Sequence, residues 1–160
     1  LHTWLRRQRQ MCIRDSDVVR PTTLYLGRKD YQQYLVVKKM VETYKIPIDV
    51  IQCPIIREED GLAMSSRNRR LTVEERSASL QLSYVLNQIK SKWKMKSPLE
   101  LMIWYKELLN AHPLIDVEYL EIIDSNSLKP IDNWEVASNA MVCIAAKVGE
   151  IRLIDNATIY

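Results

Sequence analysis

The sequence predicts an α/β protein in two parts. The first is a βαβ unit with a parallel sheet, and the second is a small α+β region with antiparallel strands. Three observations carry this. A strand-like run, an amphipathic helical run and a second strand-like run follow one another between Thr22 and Pro54. Helix-start signals then recur at Thr72 and Ser97. Two long apolar runs near the end are joined by Gly149-Glu150, a pair suited to a tight hairpin.

In chain order, "TTLYLG" (Thr22 to Gly27) is rich in β-formers and stopped by glycine, so it reads as a strand. "DYQQYLVVKKMVETY" places Val37, Met40, Val41 and Tyr44 at i, i+3, i+4 and i+7, one face of a helix, with Lys38, Lys39 and Glu42 outward. Asp30 stands where an N-cap or first-turn carboxylate belongs. Pro47 follows the helix, and "IDVIQCP" reads as a second strand closed by Pro54. Strand, helix and strand at this spacing make a parallel pair with a right-handed crossover.

Thr72 and Glu75 form a capping box, opening a helix with Ala78, Leu82, Val85 and Ile89 on its core face. After the lysine-rich "KSKWKMK", Ser97-Pro98-Leu99-Glu100 combines a second capping box with proline at the first helical position. Leu101, Trp104, Tyr105 and Leu108 are its expected apolar stripe. "VEYLEIID" and "AMVCIAAKV" read as strands, and Gly149-Glu150, with glycine first, predicts a type II′ turn into "IRLIDNATI". The division between the two parts is expected near Asn68 to Leu71, giving parts at 17–69 and 70–160.

An apolar fraction of 47% in 160 residues suits an ordinary globular chain. No window approaches the ~20 apolar residues of a membrane span, and "LHTWLRRQRQ" has no signal-peptide core. Cys12, Cys53 and Cys143 lack metal-ligand or disulfide-framework spacing. A reduced cytoplasm is the default expectation. Residues 1–16, "LHTWLRRQRQMCIRDS", stand apart. They show no period, cap or turn chemistry, and "MCIRDS" resembles one reading frame of a transposon end used in sequencing libraries. We read them as a non-native tail, the alternative being a basic arm. Four arginines against Asp15 give this stretch the whole +3 excess of the chain, leaving 19 basic and 19 acidic residues in 17–160. The basicity is therefore no argument for nucleic-acid binding.

Two clusters are candidates for chemistry. "GRKD" (Gly27 to Asp30) lies at the carboxyl end of a parallel strand, where open α/β sheets bind ligands. There Lys29 can meet a phosphate and Asp30 can accept from ribose hydroxyls; the plainer alternative is a helix cap with a solvated lysine. Gln33 follows one turn later on the same side. The second cluster is "EEDGLAMSSRNRR". Ser65 and Ser66 offer hydroxyls with little bulk, and Arg67 offers a planar donor fork suited to phosphate oxygens. With Gly61 nearby for flexibility, the loop suits closure on a polyphosphate; the alternative is an ordinary linker. Arg69 and Arg70 read as solvated. Glycine is too scarce for a Walker or G-x-G-x-x-G cradle. His112, beside Pro113 at a helix end, reads as structural or solvated.

Four segments, "LGRKDYQQ", "PIIREEDGLAMSSRNRRLTVEER", "VEYLEIIDSNSLKPI" and "IAAKVGEIRLIDNATI", together resemble the pantoate–β-alanine ligase family from about Asp17 to the end. Leu26 departs from the phenylalanine usual in the family. The resemblance implies a Rossmann-like nucleotidyltransferase fold followed by a C-terminal lid. It implies a two-step reaction in the cytoplasm by a homodimeric full-length enzyme. ATP and pantoate give pantoyl adenylate with magnesium, and β-alanine then displaces AMP. Carried over by motif, Gly27, Arg28, Lys29 and Asp30 line the ATP site, with Lys29 at the phosphates and Asp30 at the ribose. Gln33 contacts pantoate, and Ile56 contacts adenine through its backbone. Met64, Ser65, Ser66 and Arg67 form a phosphate clasp, with Lys29, Ser65, Ser66 and Arg67 as the catalytic set. The family's histidine motif, H-x-G-H, has no match here. The chain is therefore expected to be a fragment holding half a site and inactive alone. Two other readings stay open: another adenylate-forming nucleotidyltransferase, and a non-catalytic nucleotide-binding module.

Removal of residues 1–16 is expected to leave thermal stability unchanged to within about 1 kcal/mol. A larger loss in a melting experiment makes the stretch part of the native structure.

Overall fold

The computed structural model describes residues 14–16 and 18–160. The expected tail thus lies outside the described residues except for Arg14, Asp15 and Ser16. By packing, the chain divides into two compact units, one up to Ile55 and one from Ile56 to Tyr160. The sequence predicts a division at 69/70; by packing, the stretch from Ile56 to Arg70 goes with the second unit.

In the first unit, β1 (Thr23–Gly27) pairs in parallel with β2 (Asp49–Cys53), Thr23 opposite Asp49 and Gly27 opposite Cys53. Between them runs α1 (Tyr31–Tyr44), which buries Val37, Met40 and Val41 against Leu24, Leu26, Ile46, Ile48 and Val50. Tyr44, expected on this face, is exposed. It is the last helical residue, and Lys45 turns the chain left-handed at φ 52 immediately after it, so no further turn seats the ring. A short 3-10 turn, Arg28–Asp30, links β1 directly to α1.

The second unit is a three-stranded antiparallel sheet in the order β3–β4–β5, formed by Ile115–Asp124, Ala140–Val148 and Ile151–Thr158. Helices α2 (Val73–Lys92) and α3 (Pro98–Asn110) pack on it. Both capping boxes form, Thr72 with Glu75 and Ser97 with Glu100, and Pro98 opens α3. The expected face of α2 is buried, and Leu86 joins it. On α3 the buried stripe is Pro98, Leu101, Tyr105 and Leu109. Trp104 and Leu108, expected inside, are half exposed. Leu101, Tyr105 and Leu109 recur every four residues, so the core meets the flank of the helix away from Trp104.

The β4–β5 turn shows why its glycine is needed. Gly149 has φ 55, while Glu150 is not left-handed, the pattern of the expected type II′ turn. A Cβ on Gly149 would also collide with the Glu75 side chain. That side chain accepts from the Thr72 N–H at 2.9 Å, so the turn sits against the N-terminus of α2.

Gly149→Ala is expected to lower unfolding stability by about 1–3 kcal/mol, through positive φ and the clash together. Gly27→Ala, at φ −69 with open space around its Cβ, is expected to stay within about 0.5 kcal/mol. Denaturant melts that give equal losses would refute this account of the turn.

Candidate functional site

In the first unit, Gly27, Arg28, Lys29, Asp30 and Gln33 gather at the carboxyl end of β1 and the first turn of α1. Gly27 is exposed in extended conformation, Arg28, Lys29 and Gln33 are half-buried, and Asp30 is exposed. Of the two roles expected of Asp30, N-cap or first-turn carboxylate, the cap hydrogen bond does not form, and Asp30 is the acidic residue of the short 3-10 turn that precedes α1. Its backbone (φ −93, ψ 57) lies outside the extended region that an N-cap needs, because the 3-10 turn runs straight into the helix. Its carboxylate therefore makes no cap hydrogen bond and stays at the surface.

In the second unit the serine-rich loop is built as a hairpin followed by a short helical turn. Arg57 bridges Ala63, Glu58 N–H donates to the Leu62 carbonyl at 2.8 Å, and Met64 N–H donates to the Ile56 carbonyl at 2.9 Å. The tip needs Gly61, whose φ is 91. Asp60 Oδ1 accepts from the Leu62 N–H at 3.2 Å and tightens the turn. Beyond Met64, Ser65 caps a 3-10 turn, Ser66–Arg70, its hydroxyl accepting from the Arg67 N–H at 3.2 Å. Ile56, Met64, Ser66 and Arg67 are exposed and Ser65 is half-buried. One Arg67 nitrogen, Nη1, donates to the Arg152 carbonyl on β5 at 3.2 Å. Arg69 and Arg70 are exposed, as expected.

What anchors this loop escaped the sequence reading. Arg76 on α2 reaches back to it, donating from Nε to Asp60 Oδ2 at 2.9 Å and from Nη2 to Glu58 Oε2 at 2.5 Å. Asn68, buried inside the helical turn, donates to Glu58 Oε1 at 2.6 Å and to the Ala63 carbonyl at 3.1 Å. Arg57 forks onto Asp155 of β5 at 2.7 and 3.2 Å. The available signal was charge order: the acidic run at 58–60 lies between basic residues on both sides.

These contacts set the electrostatics. The Asn68 amide, then Arg76, hold the Glu58 carboxyl below its ordinary value. For Asp60, desolvation pulls upward, but the Leu62 amide and Arg76 outweigh it and the group ends below its ordinary value. The same contacts, Glu58 first, raise Arg76. Burial, then Asp155 and Glu121, push the Cys143 thiol up to about 12, so it is no nucleophile at neutral pH. His112 is structural: its Nδ1 accepts from the Leu114 N–H at 3.2 Å. Among the described residues no three His, Cys, Asp or Glu side chains are grouped to hold a metal ion. No described helix is long and apolar enough to cross a membrane.

The sequence model of the pantoate-β-alanine ligase family matches residues 9–158. The match takes in residues 9–16, which the sequence reading set apart. A pantothenate synthetase of Porphyromonas gingivalis is 46% identical over 139 residues, 87% of this chain and 50% of the relative. One from Clostridium botulinum is 44% identical over 146 residues, 89% of this chain and 50% of the relative. The chain thus spans about half the length of the curated relatives it matches. The crystal structure of pantothenate synthetase from Thermus thermophilus superposes with a TM-score of 0.85 at 37% identity, over 92% of this chain and 53% of that one. A Francisella tularensis pantoate-β-alanine ligase, complexed with β-γ ATP and β-alanine, shares the fold at TM-score 0.71 and 24% identity, over 95% of this chain and 49% of that one.

The lowered carboxyls make a pH prediction with a definite sign. Groups whose folded values are depressed add stability above their unfolded values, near 4, and lose it as pH falls through the folded ones. The thermal midpoint is expected to drop as pH falls below about 4. With Arg76→Gln the drop should be shallower, because Glu58 and Asp60 return toward ordinary values. An unchanged acid slope in that variant would show that Arg76 does not hold these carboxylates.

Proposed function

This chain belongs to the pantoate–β-alanine ligase family, and on that premise we propose that it supplies part of an ATP-dependent ligase joining pantoate to β-alanine. In the first step a pantoate carboxylate oxygen attacks the α-phosphorus of ATP, the α–β bridge breaks, and pyrophosphate leaves. In the second the β-alanine amine attacks the acyl carbon of pantoyl adenylate, AMP leaves, and the amine loses a proton as the amide forms. The whole enzyme is read as a cytoplasmic homodimer.

The observation that carries this reading is the family match across both candidate clusters, taken with the way the loop offers its groups. Ser66 and Arg67 lie exposed on a turn whose frame is tied down on both sides. Arg67 donates to a neutral carbonyl, an exposed bond it can exchange for a stronger one to a phosphate oxygen. We assign Met64, Ser65, Ser66 and Arg67 to the β- and γ-phosphates, where they meet the charge developing on pyrophosphate. Gly27 and Arg28 shape the nucleotide site, Lys29 takes a phosphate, the uncapped Asp30 accepts from the ribose, and Gln33 binds pantoate. Ile56 contributes backbone to adenine; its carbonyl already accepts from Met64. We assign 17–69 to the end of the nucleotide-binding domain and 70–160 to the lid. Among the described residues no three His, Cys, Asp or Glu side chains are grouped to hold a metal ion, and Arg76 holds both Glu58 and Asp60, so no magnesium ligand is assigned. No step is assigned to the ion.

The test joins residues 18–160 to the half of the Porphyromonas gingivalis relative that this chain does not span. The joined protein is expected to show pantoate-dependent pyrophosphate exchange. Arg67→Ala should lower its kcat about a hundredfold, the range for losing one transition-state donor, with a much smaller change in ATP affinity. Arg67→Lys should also be costly, because a point charge cannot reproduce the fork. Arg69→Ala and Arg70→Ala should be nearly silent. If Arg67→Ala raises only the KM for ATP, the loop is a passive binding surface. If no exchange appears, the functional reading falls.

A further inference from the structure

The last strand motif has no part in the chemistry above, yet it keeps a carboxylate in the protein interior. Asp155 on β5 is 5% exposed. Its Oδ2 accepts from Arg57 Nη1 at 2.7 Å and its Oδ1 from Arg57 Nη2 at 3.2 Å. Oδ1 also accepts from the Asn156 N–H at 2.8 Å, which fixes the carboxylate plane. Arg57 Nη1 donates onward to the Gly61 carbonyl at 3.1 Å. One guanidinium, rooted in the first arm, thus joins the sheet to the tip of the hairpin.

Apolar burial reaches only part of this hairpin. Leu62 and Ala63 are its buried side chains, while Ile56 and Met64 face solvent. Arg67 adds one exposed hydrogen bond to the sheet. A two-pronged ion pair fixes both distance and plane, which a single bond does not. The strand that leaves the hairpin runs without a break into Met64, Ser65, Ser66 and Arg67.

We propose that Asp155 is a positioning residue for Ser65 to Arg67, acting through Arg57. It touches no substrate. Its effect on turnover rests on the clasp reading above, whereas its effect on the loop is a property of this chain alone.

The first arm of the test uses the 160-residue chain. Trypsin cuts after Arg67, Arg69 and Arg70, and its rate there reports how often the loop opens. Asp155→Asn, which keeps the shape and removes the charge, is expected to speed these cuts on the order of tenfold. Cuts after Lys94 and Lys96, exposed in the same unit, should keep their rate. Unchanged loop cutting overturns the proposal. Equal acceleration at all sites also overturns it, because Asp155 is then a general stabiliser. Where Asp155→Asn fails to fold, Arg57→Lys, which keeps the charge without the fork, carries the same comparison. The second arm measures pyrophosphate exchange in the joined protein. Asp155→Asn should lower kcat about tenfold with the KM for ATP little changed, the pattern of lost positioning. If the unsubstituted joined protein exchanges nothing, the functional reading fails and trypsin alone judges the positioning. If it exchanges and Asp155→Asn matches it, the positioning fails.

Discussion

The Arg57–Asp155 pair joins residues 98 apart in sequence and is the two-pronged tie between the serine-rich loop and the sheet, while Arg76 and Asn68 fasten the same loop from α2 and from within. A loop that presents hydroxyls and cations to solvent cannot be fixed by a core of its own. It has to be tied by directional contacts at its base. The constraint also runs the other way. An aspartate 5% exposed inside a sheet needs a paired, hydrogen-bonded partner. Removing one partner of such a pair typically costs about 3–5 kcal/mol, much of it the penalty of the stranded charge. Asp155 therefore demands Arg57 as much as Arg57 holds Asp155.

The platform behind this pair is rigid for ordinary reasons. Val85 and Ile89 of α2 and Ile122, Val142, Ile144 and Val148 of the sheet are fully buried in one continuous core. Such interiors are close-packed, so a strand within them has little room to shift. β5 inherits that rigidity through its full pairing with β4 and passes it to Asp155. The first unit has a much smaller core of Val37, Met40, Val41 and Ile48 beneath a two-stranded sheet. Tyr25 and Ile51, paired across that sheet, are exposed on its other face. Parallel sheets are usually covered on both faces, and in this unit one face is left uncovered.

Much of this was legible in the sequence, and the failures share a cause. Both capping boxes, the parallel pair and the Gly149 turn rest on contacts within a few residues, or on glycine needs that neighbours reveal. The α3 stripe was misread by one flank because spacing of three and four allows either Trp104 with Leu108 or Leu109 alone, and only the packed sheet decides between them. Asp30 looked like a cap because a carboxylate precedes a helix there. The intervening 3-10 turn is a backbone choice that the residue type does not report. The anchors of the loop were illegible for a simpler reason. Asp155 and Arg57 lie at opposite ends of the second unit's sequence, and a charged residue in a strand motif reads as surface until its partner is known. Arg76 was closer at hand, since it returns to Glu58 and Asp60 over less than two helical turns plus the loop.

The contacts finally sort the five arginines between Arg57 and Arg76, which look alike in sequence. Arg57 and Arg76 are each held by carboxylates, at 2.7 Å and 2.5 Å. Charge-assisted bonds of this kind are roughly twice as strong as neutral ones. Giving them up for a phosphate would exchange one anion for another and leave Asp155, or Glu58 with Asp60, without a counterion. Those two arginines are committed to structure. Arg67 is held by a carbonyl, so an incoming phosphate offers it a clear gain. Arg69 and Arg70 are exposed further along the same turn, which ends in the extended backbone of Leu71 before the Thr72 cap. The arginine proposed for chemistry is thus the one the fold holds by a bond it can relinquish. Arg57 and Arg76 neutralise Asp155, Glu58 and Asp60, three carboxylates that would oppose the polyphosphate proposed for this loop.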